Sequence, residues 1–185
     1  MVRLARGYPV AGGAPWWLRL LVAAAKPALS RRYYGVPAYR PGGRLLDVGA
    51  GAGDFVAAAE ALGWEVAGVE ANEETARGAQ EAGLAVVAGD ATEVLTSGRL
   101  AGPFDLVRFH HTLEHLTAPA EALRAAAAAT SPGGRLLVAV PNAGGVFARW
   151  FGRYWYHWAL PFHRSHFDVA SLRRLLRSTG WRPRR

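Results

Sequence analysis

Arg44-Leu45-Leu46-Asp47-Val48-Gly49-Ala50-Gly51-Ala52-Gly53-Asp54-Phe55 is the stretch on which the reading of this chain turns. A short apolar run closed by glycine reads as a buried strand. The alternating glycines after it let the backbone turn sharply and approach a ligand that a Cβ would push away. A helix read over residues 55–62 then aims its N-terminal amides at the same spot. The spacing is G-x-G-x-G, whereas a nicotinamide fingerprint needs G-x-G-x-x-G. The place of the third glycine is held by Asp54, whose carboxylate would face a pyrophosphate. Asp47 and Asp54 instead suit a cationic ligand head, such as an ammonium or a sulfonium. A glycine-rich turn without a ligand is the other reading.

Working outward, strands are expected at residues 65–69, 84–87, 104–109 and 135–140, and helices at 73–81, 119–129 and 169–178. Gly63, Gly83 and Gly180 close helices, and Pro132-Gly133-Gly134 forms a turn before the fifth strand. Strands that alternate with helices predict a parallel, three-layer α/β sheet with right-handed crossovers. Ligands of such a sheet bind at the carboxyl ends of its strands. Residues 42–185 form the domain, with an aromatic insertion at 141–167 and an amphipathic extension at 1–41. The boundary falls where Pro41, Gly42 and Gly43 punctuate the chain.

The chain has 185 residues, 51% hydrophobic and 19% charged, enough for one domain with a real core, which excludes disorder over most of its length. Cysteine is absent, which removes disulfide scaffolds, thiolate metal sites and thiol catalysis. The formal charge of +8 prompts an anionic partner. All basic residues but Lys26 are arginine, and alanine and glycine abound, so GC-rich coding explains much of the excess and nucleic acid is the lesser reading. No apolar run approaches the roughly 20 residues of a spanning helix. Gly12, Gly13, Pro15 and Arg19 interrupt the start, which reads as mature, cytoplasmic sequence.

These motifs resemble the class I S-adenosylmethionine-dependent methyltransferases, in the branch related to ubiquinone-biosynthesis methyltransferases, over about residues 42–181. The resemblance implies a Rossmann-like, open and mostly parallel α/β sheet with helices on both faces, and S-adenosylmethionine as cofactor. It implies that Asp47 contacts the methionine part through water or loop amides and that Gly49, Gly51 and Gly53 line the cofactor. Glu70 ends the second strand, where a carboxylate can accept both ribose hydroxyls. A charge favouring the next helix is its other reading. The resemblance assigns Asp90 to the adenine amino group and gives Ala91 a backbone amide contact, while His110 lies against the methionine portion through its backbone. Family members continue with a sixth strand and an antiparallel seventh. This chain stops where the sixth would begin, so an open sheet edge is expected, which a partner strand, a dimer or other oligomer contact, or a truncated gene would each explain.

The fourth strand runs into His110-His111-Thr112-Leu113-Glu114-His115. In a helical turn, His111, Glu114 and His115 would share one face, as i, i+3 and i+4 neighbours do. They could then hold a divalent metal. Relatives that methylate quinone hydroxyls have a Glu-x-x-Glu-His cluster here and use a metal; His111 replaces the first glutamate. A base role for His115 and a structural role for the pair are the other readings. Base-amino methylation is disfavoured, since the Asp/Asn-Pro-Pro-aromatic motif it needs is missing.

The insertion carries Phe147, Trp150, Phe151, Tyr154, Trp155, Tyr156, Trp158, Phe162 and Phe167, with Arg149, Arg153 and Arg164 among them. It reads as a lid over an apolar pocket, as a peripheral membrane contact, or as packing against the N-terminal segment. The family's His-x-x-His-Phe pattern makes His163 and His166 secondary candidates for substrate contact. The expected function is methyl transfer to a small amphipathic acceptor, most directly at oxygen. Its rival is a non-catalytic or partner-completed S-adenosylmethionine-binding module.

Overall fold

A computed structural model describes residues 42–184, with residues 15–17, 20, 21, 38 and 40 before them. The extension expected over 1–41 lies mostly outside the described residues. Strands β1 (Arg44–Val48), β2 (Glu65–Glu70), β3 (Val86–Ala88), β4 (Phe104–His110) and β5 (Thr130–Ala139) alternate with helices. These helices are α1 (Asp54–Glu60), α2 (Glu73–Glu81), α3 (Ala91–Thr96) and α4 (Pro119–Ala128), followed by α5 (Val146–Phe151) and α6 (Val169–Ser178). The sheet order is β3-β2-β1-β4-β5, and every pairing is parallel. The order reverses between β1 and β4, so the crevice for a ligand opens at the carboxyl ends of those two strands.

Alternation along the strands builds both layers. Leu46 and Val48 of β1 and Val107 and Phe109 of β4 face a core closed by α3, α4 and α6. Leu45 and Leu106 face the other way, onto Ala59 and Trp64. Beside them, α1 and α2 cover β2 and β3 through Val56, Ala76 and Ala79. β3 and β5 are the edges of the sheet among the described residues.

Two elements differ from expectation. β5 begins at Thr130, so Pro132-Gly133-Gly134 lies within the strand. Two steps along β4, Phe104 to Leu106, match five along β5, Thr130 to Arg135, so the extra residues bulge out of the ladder. Gly133 takes a positive φ of 76° in the bulge. Helix α3 was not expected, because its six residues are too short for a periodic signal. Asp90 starts it by accepting from Thr92 N at 2.8 Å and Glu93 N at 3.2 Å. An acidic cap followed three residues later by Glu93 is the signal that would have found it.

Phe109 is fully buried between β1 and the helices. Phe109→Ala is expected to lower stability by about 3–5 kcal/mol in urea unfolding, the usual range for removing a buried ring.

Candidate active site

The glycine loop begins as β1 ends. Gly49 N and Ala50 N both donate to the Val69 carbonyl, at 2.8 and 2.9 Å, which turns the chain back across β2. Gly49, Gly51 and Gly53 all have positive φ, between 56° and 87°. Their missing side chains face different surroundings. A Cβ on Gly49 would strike Thr112 and one on Gly53 would strike Leu84, whereas one on Gly51 would meet nothing within 4 Å. Gly51 therefore borders open space, and the other two are glycine because protein already fills the volume.

Glu70 reaches the same loop. Its Oε2 accepts from Gly51 N and its Oε1 from Asn72 N, each at 2.9 Å. A carboxylate oxygen has two acceptor positions, so one on each oxygen stays available to a diol. Asp90 caps α3, whose first amide, on Ala91, has no acceptor within the helix. Carboxylate, loop amide and helix amide thus stand along the carboxyl ends of β1, β2 and β3.

Asp47 is engaged within the sheet. It is buried beside its register partner Arg108 on β4, and Arg108 Nη1 donates to Asp47 Oδ1 at 2.6 Å. The guanidinium also lies 3.7 Å over the Phe55 ring. Burial pushes the Asp47 carboxyl above the usual range, against the pull of Arg108. The charge attributed to Asp47 in the sequence is therefore balanced inside the protein. Arg108 was missed, although a charge at the centre of the strand Phe104–His110, flanked by Val107 and Phe109, is a signal that a buried partner exists.

β4 ends in a tight turn. His111 takes φ 55°, in the left-handed region that side chains rarely occupy. Thr112 Oγ1 donates to the Val48 carbonyl at 2.9 Å, tying this turn to the start of the glycine loop. Leu113–His115 form a single 3-10 turn, in place of the helical turn expected there. His111 Nδ1 lies 3.3 Å from Glu114 Oε1, while His115 engages the insertion. Its Nδ1 is 3.1 Å from the Phe162 carbonyl, and its ring meets that of His163 edge-on at 4.7 Å. Among the described residues the donor atoms close enough to share one ion, within 4.8 Å, are those of Glu114, His115 and His163.

A cleft of about 370 Å³ opens beside this turn, lined by His110, His111, Val138, Asn142, Phe167 and Leu172. Burial, and then the positive charge of Arg108, hold His110 below the ordinary histidine range, so it is neutral at physiological pH. The insertion is fastened beside the cleft. Arg164 N and Ser165 N donate to the Glu114 carbonyl at 2.8 and 3.1 Å, and Ala143 N to the Phe167 carbonyl at 2.8 Å. Trp155 and Phe167 pack inward, whereas Trp150 and Tyr156 are 79% and 86% exposed, with Phe147, Phe151, Tyr154 and Phe162 exposed around them.

An open parallel sheet with this loop, carboxylates and turn defines the class of S-adenosylmethionine-dependent methyltransferases. The family model described as methyltransferase domain matches residues 20–184, and the chain belongs to that family. The ubiquinone biosynthesis O-methyltransferase of Caulobacter sp. (strain K31) is 38% identical over 103 residues, 54% of this chain and 41% of that protein. The chain thus spans about two fifths of the length of the curated relatives it matches. A SAM-dependent methyltransferase from Archaeoglobus fulgidus superposes with a TM-score of 0.66 at 24% identity, covering 91% of this chain and 75% of that one. The plantazolicin methyltransferase BamL, solved with a triazolic desmethylPZN analog and SAH, superposes with a TM-score of 0.63 at 12% identity, over 82% of this chain and 57% of that one. The class and S-adenosylmethionine as its cofactor agree with the sequence expectation.

Two outcomes test the site's electrostatics. Arg108→Met leaves Asp47 buried without its partner and is expected to cost about 3–5 kcal/mol in chemical unfolding, most of it regained when Asp47→Leu is added. His110 has a lowered folded pKa, so below the ordinary value of about 6.5 the unfolded chain binds the proton more readily. Stability is therefore expected to fall on acidification below about pH 6.5, and the fall to be shallower in His110→Asn.

Proposed function

We propose that the chain binds S-adenosylmethionine across the carboxyl ends of β1, β2 and β3 and methylates a small amphipathic acceptor, most directly at oxygen. The observation that carries this reading is the junction at Thr112, which sets the glycine loop directly against the turn bearing His110, Glu114 and His115. Glu70 would take the ribose hydroxyls, and the Ala91 amide and Asp90 the adenine edge. Gly51 would give the methionine portion its close approach, with Gly49 and Gly53 shaping the loop and Asp47 holding it from below through Arg108. When bound, the cofactor supplies a methyl group already activated on a sulfonium. The protein's task is then to align the acceptor in line with it and keep water away.

The cleft suits an acceptor with an apolar body and a polar end. Val138, Phe167 and Leu172 offer the apolar wall, and His110 and His111 the polar one. On the turn that follows His110 and His111, His115 is the candidate group to orient or deprotonate an acceptor hydroxyl. A carbonyl oxygen only accepts, so the Nδ1 that faces Phe162 is the protonated nitrogen and Nε2 carries the lone pair. The ubiquinone-branch relatives support oxygen as the methylated atom.

The exposed rings of Phe147, Trp150, Tyr154, Tyr156 and Phe162, with exposed Arg149 and Arg153, support delivery of the acceptor from a membrane surface. Aromatic rings settle at headgroup depth and guanidinium groups meet lipid phosphates. No helix among the described residues is long and apolar enough to cross a membrane. A partner-completed binding module is the second reading, favoured by the edge of β5, which is unpaired among the described residues.

Gly51→Val is expected to abolish cofactor binding in calorimetry, because its side chain would enter the one open approach in the loop. Glu70→Ala is expected to weaken binding by about 1.5–3 kcal/mol, the scale of hydrogen bonds to a charged group. Unchanged affinity in either variant would contradict the loop assignment. Flotation with anionic liposomes is expected to fail for the triple variant Phe147→Ala, Trp150→Ala, Tyr156→Ala. Trp155 is buried and does not belong in that set. Flotation equal to the parent would remove the membrane reading.

A further inference from the structure

We infer that Glu114, His115 and His163 bind a divalent transition-metal ion that clasps the aromatic insertion to the turn after β4. Their ligand atoms lie within 4.8 Å of one another. Proximity alone would carry little, but each donor is also prepared for a cation.

The two imidazoles are oriented alike. His115 Nδ1 faces the Phe162 carbonyl at 3.1 Å, and His163 Nδ1 faces the His157 carbonyl at 2.8 Å. Each carbonyl can only accept, so each Nδ1 carries the hydrogen and each Nε2 keeps its lone pair. Metal-binding histidines have this arrangement, with one ring nitrogen fixed on a carbonyl or carboxylate and the other presented to the ion. Glu114 supplies the negative charge. It is 1% exposed, and its Oε2 has no hydrogen-bond partner among the described residues. Its Oε1 is steadied by His111 Nδ1 at 3.3 Å. A buried carboxylate oxygen without a partner is costly, and a cation would remove that cost.

The residues fit a metal, but with a different ligand set from the one the family resemblance implies. His111 supports Glu114 rather than binding, and the third ligand is His163, brought in by the insertion. Two imidazole nitrogens and one carboxylate oxygen match zinc and its transition-metal neighbours. Magnesium prefers oxygen donors. Because His163 belongs to the insertion and Glu114 and His115 to the β4 turn, a single ion would add a cross-link to the backbone hydrogen bonds that Glu114 already accepts from Arg164 and Ser165. The site uses no residue of the glycine loop, so its failure would leave the cofactor assignment intact, whereas a bound ion would occupy the His115 Nε2 lone pair that a base role for that residue needs.

The test is titration of the chelator-treated full chain with Zn(II) by calorimetry and with Co(II) by visible absorption, in the absence of S-adenosylmethionine. One ion per chain is expected, with Co(II) d–d bands and no displacement by excess Mg(II). Glu114→Gln and His163→Ala are each expected to weaken affinity by about 100-fold or more. His166→Ala should leave it unchanged, since its Nε2 is engaged with the Trp158 carbonyl. In the unmutated chain, Zn(II) should also slow amide hydrogen exchange across residues 157–166, a readout that requires no variant to fold. Absence of stoichiometric binding, unchanged affinity in His163→Ala, or exchange insensitive to Zn(II) would each overturn the inference.

Discussion

The site depends on one close approach, that of the turn after β4 against the glycine loop after β1. Thr112 donates to the Val48 carbonyl and fills the space that a side chain on Gly49 would need. β1 and β4 are register partners along Leu45 to Val48, so the contact continues the ladder beyond its last rung. Any residue larger than glycine at position 49 would pry the loop from the turn. The left-handed backbone of His111 is part of the same constraint, since the chain must reverse there to bring Thr112 inward.

Beneath that junction the sheet holds a buried ion pair. Asp47 and Arg108 give up hydration that an apolar pair would not need, so stability alone is a poor reason for their presence. What the pair does is fix two neighbouring strands two residues before Gly49 and three before His111, and its guanidinium adds to burial in lowering the pKa of His110. A cationic cofactor would then meet Glu70 and a neutral imidazole rather than a protonated one.

The order of strands and helices was readable because period-two and period-3.6 patterns alternate between glycine stops, and β1, β2 and β4 lie where the apolar runs place them. The glycine loop was readable for the same reason, since its glycines stand at the end of an apolar run. Short or irregular pieces were not. Helix α3 has too few residues to show a period, and the bulge in β5 uses the same Pro-Gly-Gly that elsewhere marks a turn. Contacts between distant segments were hidden most completely. No spacing in the sequence pairs Asp47 with Arg108 or brings His163 beside His115, because those approaches exist only after the sheet has formed. Trp155 and Trp150 likewise look alike in sequence, yet one is buried and the other is 79% exposed.

The central claim is that the loop at Gly49, Gly51 and Gly53 with Glu70 selects a sulfonium nucleoside over a dinucleotide. Isothermal titration of the unmutated chain with S-adenosylmethionine, its demethylated product and NADH tests that claim most directly. The account requires micromolar binding of the first two, one per chain, and none of the third. Binding of NADH, or of none of the three, would contradict it.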